Sequence, residues 1–296
     1  MAGGQWPWND GRTIGTIVAF AVTLALFTLQ QVFCIFTSAE NRSFPVHLLH
    51  SKSQVLLYIA TAANITSLFV PVYFIPIYFQ FVHNDSALEA AVRLLPYVVT
   101  TVSFNLSAGY LLSKIKYYMP IFLTSGMFMV IGSSLLTVYL DPATPVSYIY
   151  GFSVIAGIGA GLTLQIGYAV ATLKAPDHIG GARGALALQN VAQIGGSVIA
   201  LVIAGRVFQS SAVRNLTEVL ASTSYSDADT QSAVFGTQSL IFQQLSGSLR
   251  DQALLAITKA MQMSFILPCV GGGVLMIVSL LMKHEKLFGE IVQVGA

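Results

Sequence analysis

Hydrophobic positions run in seven long blocks, at 15–36, 55–82, 90–112, 121–140, 148–173, 184–208 and 259–282, and the stretches between them hold most of the charge. About twenty apolar residues cross the hydrocarbon core of a bilayer as a helix, and each block reaches that length. The two-residue alternation of a membrane β-barrel is absent. A lone strand would leave its backbone groups unpaired in lipid, so each block predicts a transmembrane helix. The fold class that follows is an all-α, multi-pass integral membrane protein with seven transmembrane helices. The connection at 209–258 is long and rich in Ser, Gln, Thr and Asp, which predicts an external loop with short helical pieces.

Composition agrees with this reading. The chain is 55% hydrophobic and 9% charged, whereas a soluble domain carries about a quarter charged residues. A net charge of +2 without a Lys/Arg cluster removes nucleic acid as a partner. Cys34 and Cys269 fall in apolar runs and read as small buried hydrophobes, with no disulfide framework. His47, His50 and His83 have no acidic or Cys neighbours at metal-binding or catalytic spacing, so no metal, cofactor or enzymatic chemistry is predicted. Residues 1–14 lack the apolar core and small-residue site of a cleaved signal, and read as an external leader loop.

Cytoplasmic loops carry the excess of Lys and Arg. Placing the segment after the first span inside gathers Arg42, Lys52, Lys114, Lys116, Lys174, Arg183, Lys283 and Lys286 on one side. Residues 283–296 then form a cytoplasmic tail, and 209–258 lies outside with its Asn215-Leu216-Thr217 sequon.

Tyr73-Phe74-Ile75-Pro76-Ile77-Tyr78-Phe79-Gln80, followed by Ser86-Ala87 and Leu95-Pro96, resembles the signature of fourteen-span major facilitator drug:proton antiporters, including fungal toxin efflux pumps. Gly157-Ile158-Gly159-Ala160-Gly161 with Gln165, then Gly184-Ala185-Leu186 and Gly195-Gly196, are similar to later spans of that family at its spacing. Three positions depart from it: Lys116 and Asn84 stand where glycine is usual, and Gly167 where proline is common. The resemblance implies that 15–36 is a central linker helix and 55–282 the carboxy-terminal six-helix half-bundle. The amino-terminal half, with the proton-coupling carboxylate, would lie outside these residues. The implied function is efflux of small lipophilic compounds, drug or toxin, by proton antiport in the full-length form. Its partners would be membrane lipid, the small-molecule substrate and protons, at the plasma membrane or the vacuole. The alternatives are a non-transporting fragment and a seven-span receptor, which the span count also fits.

Polar groups in hydrocarbon are costly and face the bundle interior or a cavity. Asn64, one helical turn before Ser67 and two before Pro71, is a candidate substrate contact or an interhelical hydrogen bond. Gln165 is a candidate contact on the glycine-rich span. Gln189, Gln193 and Ser197 repeat at i, i+4, i+8 as one polar stripe beside Asn190, for cavity lining or packing. Asn105 is a candidate of the same kind. Gly157 and Gly161, and likewise Gly195 and Gly196, suit close helix approach, while Pro71 and Pro76 are expected to bend their span. Tyr73, Phe74, Tyr78 and Phe79 suit a lipophilic cargo, with an interfacial belt as the other reading of Tyr78 and Phe79. Glu89 precedes Arg93 by four residues and predicts an ion pair at the outer edge. No Asp, Glu or His falls deep within a span, so no group there titrates in a membrane pathway, and the chain alone is expected not to run proton-driven export.

Overall fold

The computed structural model describes residues 9–36, 44, 46–175, 181–221, 234 and 247–287. Its helices are α1 (Gly11–Phe33), α2 (Lys52–Val82), α3 (Ala87–Arg93), α4 (Leu95–Ile115), α5 (Met119–Tyr139), α6 (Val146–Thr163), α7 (Ile166–Leu173), α8 (Gly181–Leu220) and α9 (Gly247–Leu281), with a 3₁₀ turn at Val46–His50. Among the described residues six spans are long and apolar enough to cross a membrane, α6 and α7 together making one, and the bent pair α3 and α4 counts as a seventh if it crosses as one span. The protein is thus an all-α membrane protein. Residues 1–8 of the expected leader and 288–296 of the expected tail lie outside the described residues.

The third block, 90–112, is not one straight helix; the chain turns by 44° between α3 and α4. Ser86 and Glu89 form a capping box that starts α3, with the Ser86 N–H donating to Glu89 Oε2 at 2.8 Å and the Glu89 N–H to Ser86 Oγ at 3.3 Å. Pro96, in the first turn of α4, has no N–H with which to continue the preceding helix. Because Glu89 is committed to the cap, the expected Glu89–Arg93 pair does not form. Arg93 pairs instead with Asp85, and its guanidinium lies 4.9 Å from the centre of the Phe79 ring.

Lipid tails are as apolar as Leu, so helices in a bilayer associate through close packing and hydrogen bonds rather than a hydrophobic drive. The contacts follow that rule. α5 packs against α6 and α9, α9 also meets α2 and α8, and α4 packs on α6. A Cβ on Gly272 of α9 would stand 2.9 Å from Met129 Cβ and the Val130 backbone of α5, and one on Gly126 would meet Met276 at 2.7 Å. The aromatic segment of α2 fills the part of this core around the helix's carboxy-terminal half. Phe74, Tyr78 and Phe79 are buried, and Phe74 packs edge-on to Phe208 of α8 at 5.5 Å and Phe265 of α9 at 6.3 Å. These three rings are therefore neither a cargo surface nor an interfacial belt; only Tyr73 of the four is exposed.

With 40 and 35 residues, α8 and α9 measure about 60 and 52 Å at 1.5 Å per residue, well beyond the roughly 30 Å of hydrocarbon. The stretch expected as a loop at 209–258 is helical at both ends, over 209–220 and 247–258. These extensions pack on each other through Ala212, Leu216, Ala253 and Ile257. Asn215 Nδ2, the atom a glycan would use, donates to the Ala256 carbonyl at 3.2 Å.

Two departures from the family pattern have a backbone cause. Lys116, which ends α4, has φ 64°, and Asn84, just beyond α2, has φ 55°. Both sit in the left-handed region that glycine enters freely and other residues enter at a cost.

Candidate functional site

The glycine-rich span is broken. α6 ends at Thr163 and α7 begins at Ile166, with Leu164 and Gln165 in a turn. Gly167, at a family proline position, is the second residue of α7, where a missing N–H would cost nothing. Helix ends leave carbonyls without their i+4 donors, and in a bilayer no water is at hand to satisfy them. The Leu164 N–H bonds Gly161 O, so Ala160 O loses its usual partner; Asn64 Nδ2 of α2 donates to it at 3.1 Å. The Ala175 N–H bonds Thr172 O, which frees Ala171 O; Gln54 Nε2, three turns earlier on α2, donates there at 2.8 Å.

Prolines create the same vacancy inside a helix. Pro71 has no N–H for Ser67 O, and the hydroxyl of Tyr97 on α4 donates to that oxygen. α2 stays one continuous helix across both Pro71 and Pro76. At the carboxy-terminal end of α5, Gln262 Nε2 of α9 lies 3.3 Å from the Val138 carbonyl and 3.2 Å from that of Leu140, the residue capping the helix. Buried amides and one phenol thus close backbone positions that breaks and a proline leave open.

This sorts the predicted polar residues. Asn64 and Gln189 are buried, and Gln189 Nε2 donates to Gly167 O at 3.1 Å. In each the amide oxygen, Asn64 Oδ1 and Gln189 Oε1, is enclosed without a hydrogen-bond partner. The stripe on α8 splits one turn later. Gln193 is half-buried and meets the hydroxyl of Tyr168 on α7, which shares its proton with Asn190 Oδ1 at 2.9 Å. Ser197 bonds its own helix at Ile194 O. Gln165 is exposed at the break, and Asn105 of α4 is half-buried with its Oδ1 enclosed and unpartnered. The open polar groups are therefore Gln165 in the turn before α7, Tyr168 on α7, and Asn190 and Gln193 on α8. They border large apolar side chains exposed on α8, among them Val191, Ile194 and Val198. Sequence reasoning missed Tyr168, Gln54 and Tyr97. Tyr97 was accessible from the chain, since Pro71 vacates Ser67 O and asks for a donor from outside the helix.

The glycines divide in the same way. A Cβ on Gly157 would stand 2.9 Å from Tyr97 O, and one on Gly161 would run into the Thr101 carbonyl, so α4 and α6 touch backbone to backbone. Gly196 faces α2, with a Cβ 2.9 Å from Ile65 Cγ2, whereas a Cβ on Gly195 meets nothing within 4 Å. Among the described residues no group of three His, Cys, Asp or Glu is placed to hold a metal.

At the end of the bundle opposite the long extensions, three elements are clasped. The Leu287 N–H donates to Lys116 O at 2.9 Å, His284 stacks on Tyr117 at 4.5 Å, and Lys174, at the end of α7, bonds both Tyr118 Oη at 2.6 Å and Glu285. The Lys174 hydrogen bond holds the Glu285 carboxyl below its ordinary value.

No protein-family model matches the chain. Curated proteins do. It is 39% identical to the efflux pump patC of Aspergillus clavatus over 97% of this chain and 51% of the relative. It is 40% identical to the MFS-type transporter pgmG of Aspergillus terreus over 97% of this chain and 50% of the relative. It is 36% identical to the phomenoic acid biosynthesis cluster MFS-type transporter of Leptosphaeria maculans over 97% and 48%. The chain spans about half the length of the curated relatives it matches.

Proposed function

The chain belongs to the fungal MFS-type transporter family, and from that premise we propose that it forms the carboxy-terminal half-bundle of a pump that exports small lipophilic compounds by proton antiport. The observation that carries the reading is the open face of α7 and α8. It presents uncharged hydrogen-bonding groups, Gln165, Tyr168, Asn190 and Gln193, amid exposed apolar side chains. Such a surface suits a lipophilic molecule with a few polar atoms: apolar walls accept its body, and a few fixed donors and acceptors orient it. One relative is named for a biosynthetic cluster, which supports an organic metabolite as cargo. Transporter sites form at the interface of two repeats near the bilayer midplane, so a second half-bundle completes this one and supplies the titrating group for proton coupling. The plasma membrane is the proposed location, with the vacuolar membrane second.

The test pairs this chain with the amino-terminal half of the Aspergillus clavatus relative in liposomes. The pair is expected to move a lipophilic dye against its gradient, with transport abolished by a protonophore. Tyr168→Phe and Gln193→Ala should weaken dye transport without loss of folded protein, whereas Asn64→Ala should destabilise the bundle. Dye-dependent proton flux by this chain alone would overturn the assignment of the coupling group.

A further inference from the structure

A cavity of about 530 Å³ opens where α2 begins and α9 ends. Its lining is Leu49, Val55, Leu56 and Leu281 on the apolar side and Lys52, Lys283 on the charged side, with His50 and Ser53 beside them. None of these residues belongs to α4, α7 or α8, so the cavity is separate from the polar face proposed for cargo. It lies at the end of the bundle that also carries Lys114, Lys116, Lys174 and Lys286, which is the side the charge rule assigns to the cytoplasm.

From this geometry we infer that the cavity binds an anionic glycerophospholipid of the inner leaflet. Three features converge on a phosphate. Among the described residues neither Lys52 nor Lys283 makes an ion pair, and Glu285, two residues after Lys283 and within its electrostatic reach, is hydrogen-bonded by Lys174 instead. The cavity lies at the amino terminus of α2, a helix of 31 residues, where backbone N–H groups and the helix dipole favour an anion. Ser51, the N-cap, makes no side-chain bond to those N–H groups. The apolar wall then separates a lipid from a soluble phosphate. Leu49 and Leu281 are exposed and share the lining with Val55 and Leu56, an apolar wall that an acyl chain fits. Basic pockets between transmembrane helices on the cytoplasmic side recognise anionic headgroups by this combination.

The chain, purified in mild detergent, is titrated with phosphatidylserine, phosphatidylcholine or glycerol 3-phosphate and read by native mass spectrometry. Each lysine near an anionic headgroup contributes about fivefold in affinity, so Lys52→Gln with Lys283→Gln should weaken phosphatidylserine binding by about 25-fold. Lys114→Gln with Lys116→Gln, at the same end but outside the cavity, should change it less than about twofold. The inference falls if phosphatidylcholine binds as well as phosphatidylserine, or if the two double variants lose binding equally, which would show a diffuse field rather than a site. It also falls if glycerol 3-phosphate competes at the same concentration as the lipid, since the apolar wall would then contribute nothing.

Discussion

Replacing Tyr97 by Phe removes one oxygen, the one that donates to the Ser67 carbonyl left open by Pro71. Both residues are buried, Ser67 fully and Tyr97 to 1% exposure, so no water takes over. Side-chain hydrogen bonds between membrane helices average about 0.6 kcal/mol and reach about 1.7, and a buried carbonyl left without a partner costs about 1–3 kcal/mol. Tyr97→Phe should therefore destabilise the bundle by about 1–2 kcal/mol. Pro71→Ala restores an N–H four residues after Ser67 and closes the vacancy from within α2. In that background the phenol is surplus, and Tyr97→Phe should cost less than about 0.5 kcal/mol, a coupling of about 1 kcal/mol between residues on different helices. The assay is unfolding of the purified chain by SDS titration in mixed micelles, followed by far-ultraviolet circular dichroism, because both tryptophans, Trp6 and Trp8, precede α1. Equal costs in the two backgrounds, within about 0.3 kcal/mol, would refute the idea that the phenol replaces the proline's missing donor.

Neighbouring glycines on α8 should respond oppositely: Gly195→Ala, with open space around its Cβ, should stabilise by about 0.5–1 kcal/mol through helix propensity, while Gly196→Ala, against Ile65 and Ala62, should destabilise by about 1 kcal/mol or more in the same SDS titration. Lys116→Gly should stabilise by about 1 kcal/mol, because it relieves a left-handed backbone at φ 64°; an unchanged midpoint would remove that strain from the account. For Glu285 the folded carboxyl titrates below its unfolded value, so its contribution is present above the unfolded value and is lost as pH falls through the folded one. With the side chain 44% exposed the contribution is a few tenths of a kcal/mol, and thermal scans from neutral to acidic pH should show Glu285→Gln losing less stability than the wild type.

The sequence by itself determined the all-α membrane class and the family. Each rests on local properties: apolar runs long enough to span hydrocarbon, loop charge, and motifs at fixed spacing. The close approach expected of Gly157 and Gly161 is there, whereas the 44° bend falls at Pro96 and α2 runs as one helix across Pro71 and Pro76, where bends are expected. Only the tertiary structure decided what the intramembrane polar residues do. Asn64, Gln189 and Gln193 look alike in the chain, yet the first two are bonded to carbonyls of the broken span α6 and α7, and the third meets Tyr168 on an open face. Whether an amide is consumed depends on which carbonyl of another helix comes within its reach, and that is set by where helices stop and how close they pass, not by the residue's own neighbours.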